Sequence, residues 1–256
     1  MPSLANLVIS RQYPFKDDVI FKSTRNTLKY VKINLCSKFA EILKKHKVFL
    51  GPSYPNLRHV EIGYGKGATP PEASDEYWAY ILGIAHKVRG LSICSSFDFP
   101  TALERMLDGP MMSNIRYFKL DSVNLTFNSF CSLVEKLPNM TQFSVLRLAL
   151  NSEHEYMSHV ELHDHFTNKY RTLSHSFQYC DATGGGDINE MVKCAMLLVA
   201  LCPRITRFKA NTPISKPVQD AINKATAKEP FIRYADRLRH LAFNEITEDS
   251  DAFASF

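Results

Sequence analysis

The sequence predicts an α/β solenoid, with short parallel strands alternating with helices along most of the chain. Two observations predict it. An L-x-x-L-x-L form, with other apolar residues standing in for leucine, recurs at near-regular spacing. Between its copies, apolar residues repeat at three- and four-residue intervals, as they do on the buried face of a helix. Composition permits such a core: 45% of the residues are hydrophobic and 11% aromatic, which argues against disorder.

The first strand is predicted at Leu4-x-x-Leu7-x-Ile9. Further copies are Leu28-x-x-Val31-x-Ile33, Leu57-x-x-Val60-x-Ile62, Val88-x-x-Leu91-x-Ile93 and Ile115-x-x-Phe118-x-Leu120. Met140-x-x-Phe143-x-Val145, Ile205-x-x-Phe208-x-Ala210 and Leu238-x-x-Leu241-x-Phe243 complete the set. "MPSL", "YPNL", "LPNM" and "CPRI" share a proline two residues before the first apolar position. The wide interval between Met140 and Ile205 predicts a degraded copy near Leu173, in "KYRTLSHSFQYC". Helices are predicted through Leu35, Phe39, Ile42 and Leu43, through Trp78, Ile81, Leu82 and Ala85, and from Phe127 to Leu137. The strongest pattern is Ile188, Met191, Val192, Ala195, Val199 and Cys202, with Asp187 as N-cap. One such unit cannot bury its apolar face alone, so neighbours must stack.

In these motifs the chain resembles the leucine-rich repeat family in its ribonuclease-inhibitor-like form, and the repeat region of F-box/leucine-rich repeat proteins. The resemblance covers residues 1–246, as about nine irregular repeats, followed by an acidic tail at 247–256. It departs from the family at the ninth motif position, where only Cys36 supplies the usual asparagine or cysteine. The resemblance implies a horseshoe with parallel strands on the concave face and helices on the convex face. Motif positions 1, 4 and 6 would then enter the core, and positions 3, 5 and 7 would face the concave side.

That placement nominates Tyr30, Lys32, His59, Tyr117, Lys119, Arg207, Lys209 and His240 as partner-binding residues. Aromatics beside cations on an open face suit a protein partner of acidic character. The function implied is a protein–protein interaction module without catalytic residues, cofactor or metal. Its most specific form is the substrate-recognition part of an F-box-type ubiquitin ligase. A Skp-type adaptor and a cullin would join it where an F-box lies upstream.

Other chemistry is poorly served. "GYGKGATPP" places Lys66 before the last glycine and prolines where a helix should start, so it meets neither the P-loop nor the dinucleotide pattern. "DATGGGDINE" has glycines before a helix but no lysine. His154, His159, His163 and His165 offer the alternative, a metal-dependent hydrolase on an exposed convex helix, yet they form no H-E-x-x-H. A net charge of +5 without a stacking motif argues against nucleic acid. The six cysteines show no paired spacing and read as reduced core thiols. With no signal peptide and no apolar run of membrane length, the chain is expected in the cytoplasm or nucleus, away from membranes. Because the first copy starts at Leu4, its core face is expected to need cover from an upstream segment, a second copy or a partner.

Overall fold

A computed structural model describes residues 4–9, 23–35, 54–64, 81–93, 99–171, 173, 176–182, 187–210, 216–227 and 230–238. The chain is α/β and divides into two compact units, Met1–Asp121 and Ser122–Ser255.

The first unit carries strands β1 (Asn6–Ile9), β2 (Tyr30–Leu35), β3 (His59–Tyr64) and β4 (Gly90–Ile93), and the start of β5 (Tyr117–Thr126). They lie side by side in chain order, each pair parallel. A parallel pair cannot be closed by a tight hairpin, so the chain must return between strands. Helical residues 81–85 and helix α1 (Phe99–Asp108) lie on two of these returns. Every strand contributes alternate apolar side chains to the core: Val31, Val60, Leu91 and Phe118 form one fully buried row, in register with Leu7. Ile9, Ile33, Ile62, Ile93 and Leu120 form the next row. Motif positions 4 and 6 are therefore core positions. Leu7 and Ile9 are 8% and 4% exposed, and only Leu4 reaches 40%. Of the three side chains of the first copy, Leu7 and Ile9 are thus buried and Leu4 is exposed.

The second unit carries β6 (Gln142–Ala149), β7 (Tyr179–Ala182) and β8 (Arg207–Ala210), again parallel and in chain order. Its helices are α2 (Phe127–Lys136), α3 (Ser152–Glu155), α4 (His159–Tyr170), α5 (Ile188–Leu201) and α6 (Lys216–Thr226), with a 3-10 turn at Phe231–Tyr234. Its core is aromatic. Phe130 of α2 lies 5.4 Å from Phe143 of β6 and 5.6 Å from Phe177, while Phe127 meets Phe166 of α4 edge-on at 5.1 Å. These rings are fully buried, each worth about 2–3 kcal/mol of apolar transfer. α2 follows the predicted periodicity. α5 forms where predicted, with Asp187 capping it by accepting from the Asn189 and Glu190 amides. It buries Cys194, Met196, Leu197, Leu198 and Leu201 beside Val192 and Val199, however, and leaves Ile188, Met191 and Ala195 half-buried.

The degraded copy starts within the expected stretch, four residues after Leu173. Its strand is β7, so its motif reads Phe177-x-x-Cys180-x-Ala182. Phe177 and Cys180 are fully buried, and Ala182 is 5% exposed. Small side chains at the fourth and sixth positions hide the pattern from any search for large aliphatics. The predicted helix at Phe39–Leu43, the glycine loop after Tyr64, Gly184–Gly186 and the last predicted strand beyond its first residue, buried Leu238, lie outside the described residues.

Candidate functional site

The parallel register of the first unit builds a site from two rows of side chains. Motif position 3 aligns Asn6, Tyr30, His59, Gly90 and Tyr117 across five strands. Position 5 aligns Val8, Lys32, Glu61, Ser92 and Lys119. Five of the nominated residues thus come together: Tyr30, Lys32, His59, Tyr117 and Lys119.

His59 organises the site. Its ring stacks on Tyr30 at 5.2 Å and 29°, and reaches Tyr117 at 5.4 Å. Tyr117 stands two strands away, a span of about 9.6 Å at ordinary strand spacing. The reach is possible because Gly90, on the strand between, has no side chain. A Cβ there would come within 2.2 Å of His59 Nδ1. The ring therefore lies across Gly90, and its Nε2 hydrogen-bonds the Ser92 hydroxyl at 3.0 Å. This roof covers Gly90 and Ser92, leaving Ser92 only 2% exposed, while Leu91 and Ile93 of the same strand face the core. Burial pushes the His59 pKa down to about 4; nearby Glu61 opposes the shift and Lys119 adds to it. The imidazole is neutral at physiological pH.

The charges beside this stack are locally paired. Glu61 accepts a 2.8 Å hydrogen bond from the Tyr30 hydroxyl and forms an ion pair with Lys32. Lys119 lies 3.9 Å from Asp121. Tyr117, expected as an exposed anchor, is only 8% exposed and supports His59 from within the sheet surface. Gly90, Ser92 and Glu61 are the residues that motif reading undervalued. A glycine at position 3, flanked in register by His59 and Tyr117, was the available signal.

A histidine bonded to a serine is also the geometry of a nucleophile and its base. Three features argue against that use here. The Ser92 hydroxyl is covered, a base with a pKa near 4 is poorly matched to neutral pH, and the other ring nitrogen faces Gly90 rather than a carboxylate.

The remaining nominated residues fall elsewhere. Arg207 and Lys209 lie on β8 in the second unit, in register with Tyr179 and Asp181. His240 lies outside the described residues.

The histidine cluster divides into two structural pairs. His154 of α3 is 3% exposed and packs on His165 at 4.7 Å and Phe166 at 5.0 Å. His163 of α4 is 4% exposed, bonds Asp164 at 3.0 Å and meets Phe231 edge-on at 5.1 Å, with His159 at 6.4 Å from the same ring. Two of the four are buried, where an exposed helix was expected. Among the described residues, no group of three or more histidine, cysteine or acidic side chains is placed to hold a metal ion. No helix among them is long and apolar enough to cross a membrane.

Fold and site together define an α/β protein whose parallel strands present a braced aromatic and ionic surface. No known protein-family model matches the chain, and no curated protein sequence matches it either.

Proposed function

We propose that this chain is a non-enzymatic protein-interaction module, built as a leucine-rich-repeat horseshoe and working in the cytoplasm or nucleus. Its partner docks across the strand surface formed by Tyr30, Lys32, His59 and Lys119, with Tyr117 beneath. One observation carries the reading: five successive parallel strands hold motif positions 3 and 5 in register, lining up their side chains across the sheet. The mutual bracing of Tyr30, His59 and Tyr117 supports it, because pre-ordered aromatic side chains lose little entropy on binding.

The test is affinity capture with the intact chain, followed by mass spectrometry and titration of the partner recovered. Tyr30→Ala with His59→Ala is expected to weaken that complex about tenfold or more, the scale of an interface hot spot. Unchanged affinity in a folded double variant would overturn the reading. The ligase form of the proposal adds a Skp-type adaptor and a cullin; their absence from the captured set would remove that form alone.

A further inference from the structure

The second motif position is basic in four successive copies: Lys29, Arg58, Arg89 and Arg116. All four side chains are exposed. Their backbones are joined directly, the Arg58 amide donating to the Lys29 carbonyl at 2.8 Å, Arg89 to Arg58 at 2.8 Å, and Arg116 to Arg89 at 2.7 Å. The four residues therefore stand in one line across the strands, at steps of about 4.8 Å. Among the described residues, Lys29, Arg58 and Arg89 have no acidic partner. Lys32 and Lys119, by contrast, already meet Glu61 and Asp121. Among the described residues, the positive charge of Lys29, Arg58 and Arg89 at the strand entries is therefore uncompensated, unlike that of Lys32 and Lys119.

We infer that this line of cations binds the acidic face of an α-helix in a protein partner, with the helix axis lying across the strands. The inference deepens the interaction reading above and rests on it. Spacing selects the helix. Side chains at alternating three- and four-residue steps lie about 5.3 Å apart along a helix axis, within about 0.5 Å of the cation spacing. Over three steps the mismatch is about 1.5 Å, which long arginine and lysine side chains absorb. An extended peptide shows same-side residues every ~6.7 Å and would overrun the line by about 6 Å. Single-stranded nucleic acid is disfavoured for a separate reason. It binds by stacking bases on aromatic faces, and His59 stacks against Tyr30 and packs against Tyr117. Arginine at three of the four positions suits carboxylates, which it can grip through two parallel N–H donors.

The probe is an alanine-rich helical peptide of about 20 residues with four glutamates on one face at three- and four-residue spacing. A peptide of identical composition with the glutamates spread around the helix is its control. The ordered peptide is expected to bind the intact chain more tightly, and to weaken as ionic strength rises. Arg58→Gln with Arg89→Gln should reduce its affinity about tenfold, since each exposed pair contributes only a few-fold. Circular dichroism melts should match the parent, because both side chains are exposed. Equal binding of the two peptides, or no loss in the Arg58→Gln/Arg89→Gln chain, would overturn the inference. So would tighter binding of single-stranded DNA or of phosphatidylserine vesicles that depends on the same arginines. If the captured partner is lost with Tyr30→Ala/His59→Ala but retained with Arg58→Gln/Arg89→Gln, this inference fails while the interaction reading stands. If neither variant alters capture, both fail.

Discussion

At the scale of single residues, Gly90 and His59 depend on each other. The Cβ of Gly90→Ala would sit 2.2 Å from His59 Nδ1, so the imidazole must leave its place over β4. Ser92 would lose its hydrogen bond and Tyr117 its ring contact. Overpacking of this kind typically costs about 1–3 kcal/mol, readable as a lower thermal midpoint. The same substitution should move the His59 pKa from about 4 back toward 6.5, followed by NMR titration. Unchanged stability and an unchanged titration would show that the ring does not need the glycine. The parent chain should also be acid-sensitive through this residue. Its folded pKa lies below the unfolded value, so the unfolded chain binds more protons between about pH 6.5 and 4. The stability that His59 contributes is complete above pH 6.5 and is lost as pH falls through that window. The loss is at most about 3 kcal/mol at 1.36 kcal/mol per pKa unit. His59→Phe should flatten this part of the stability profile in denaturant titrations at pH 7 and pH 5. An equally steep profile in that variant would assign the dependence to other groups, such as buried His154 and half-buried His159, whose pKa values burial also lowers.

At the scale of elements, legibility followed side-chain size and capping chemistry. Helix α5 was readable because six apolar residues keep helical spacing behind an aspartate that accepts two amide hydrogen bonds. Helix α4 carried an equally plain start signal in Ser158-x-x-Glu161, a reciprocal capping box in which the Glu161 carboxylate accepts from the Ser158 amide at 2.9 Å. The histidines here suggest metal chemistry instead, although His163 of α4 packs edge-on against Phe231 and His154 of α3 packs against Phe166. Strand β7 was legible only as a degraded copy, because Cys180 and Ala182 are small. The far end of α5 is closed by a residue that no periodicity could nominate: Arg237 donates to the carbonyls of Val199, Cys202 and Pro203 at 3.0, 3.0 and 2.9 Å. Arg237→Ala should therefore cost about 1–3 kcal/mol, since three carbonyls lose a charged donor. Asp187→Ala at the opposite end should cost about 1 kcal/mol. Urea titration of both variants compares the two ends. An Arg237→Ala loss smaller than that of Asp187→Ala would mean that water replaces the guanidinium without penalty.

At the scale of the whole molecule, the repeat predicted the alternation of parallel strands and helices but not the division into two compact units. The motif specifies each strand's inward residues and is blind to which neighbouring helices share a core. Cysteine placement offers a way to watch one unit alone. Cys131, Cys180, Cys194 and Cys202 are fully buried free thiols, all within Ser122–Ser255. Burial raises the pKa of Cys131 and Cys194, so both stay as unreactive thiols at neutral pH. Cys194 additionally donates to the Leu148 carbonyl at 3.6 Å. An alkylating reagent can reach these four only when the unit opens. With rising urea, mass spectrometry of the labelled peptides should show all four reacting over a single transition. Their shared packing around α2, α5 and β7 gives none of them a private route to solvent. Reaction of Cys180 well before Cys131 and Cys194 would instead mean that β7, the strand with the smallest core residues, detaches before the helices beside it come apart.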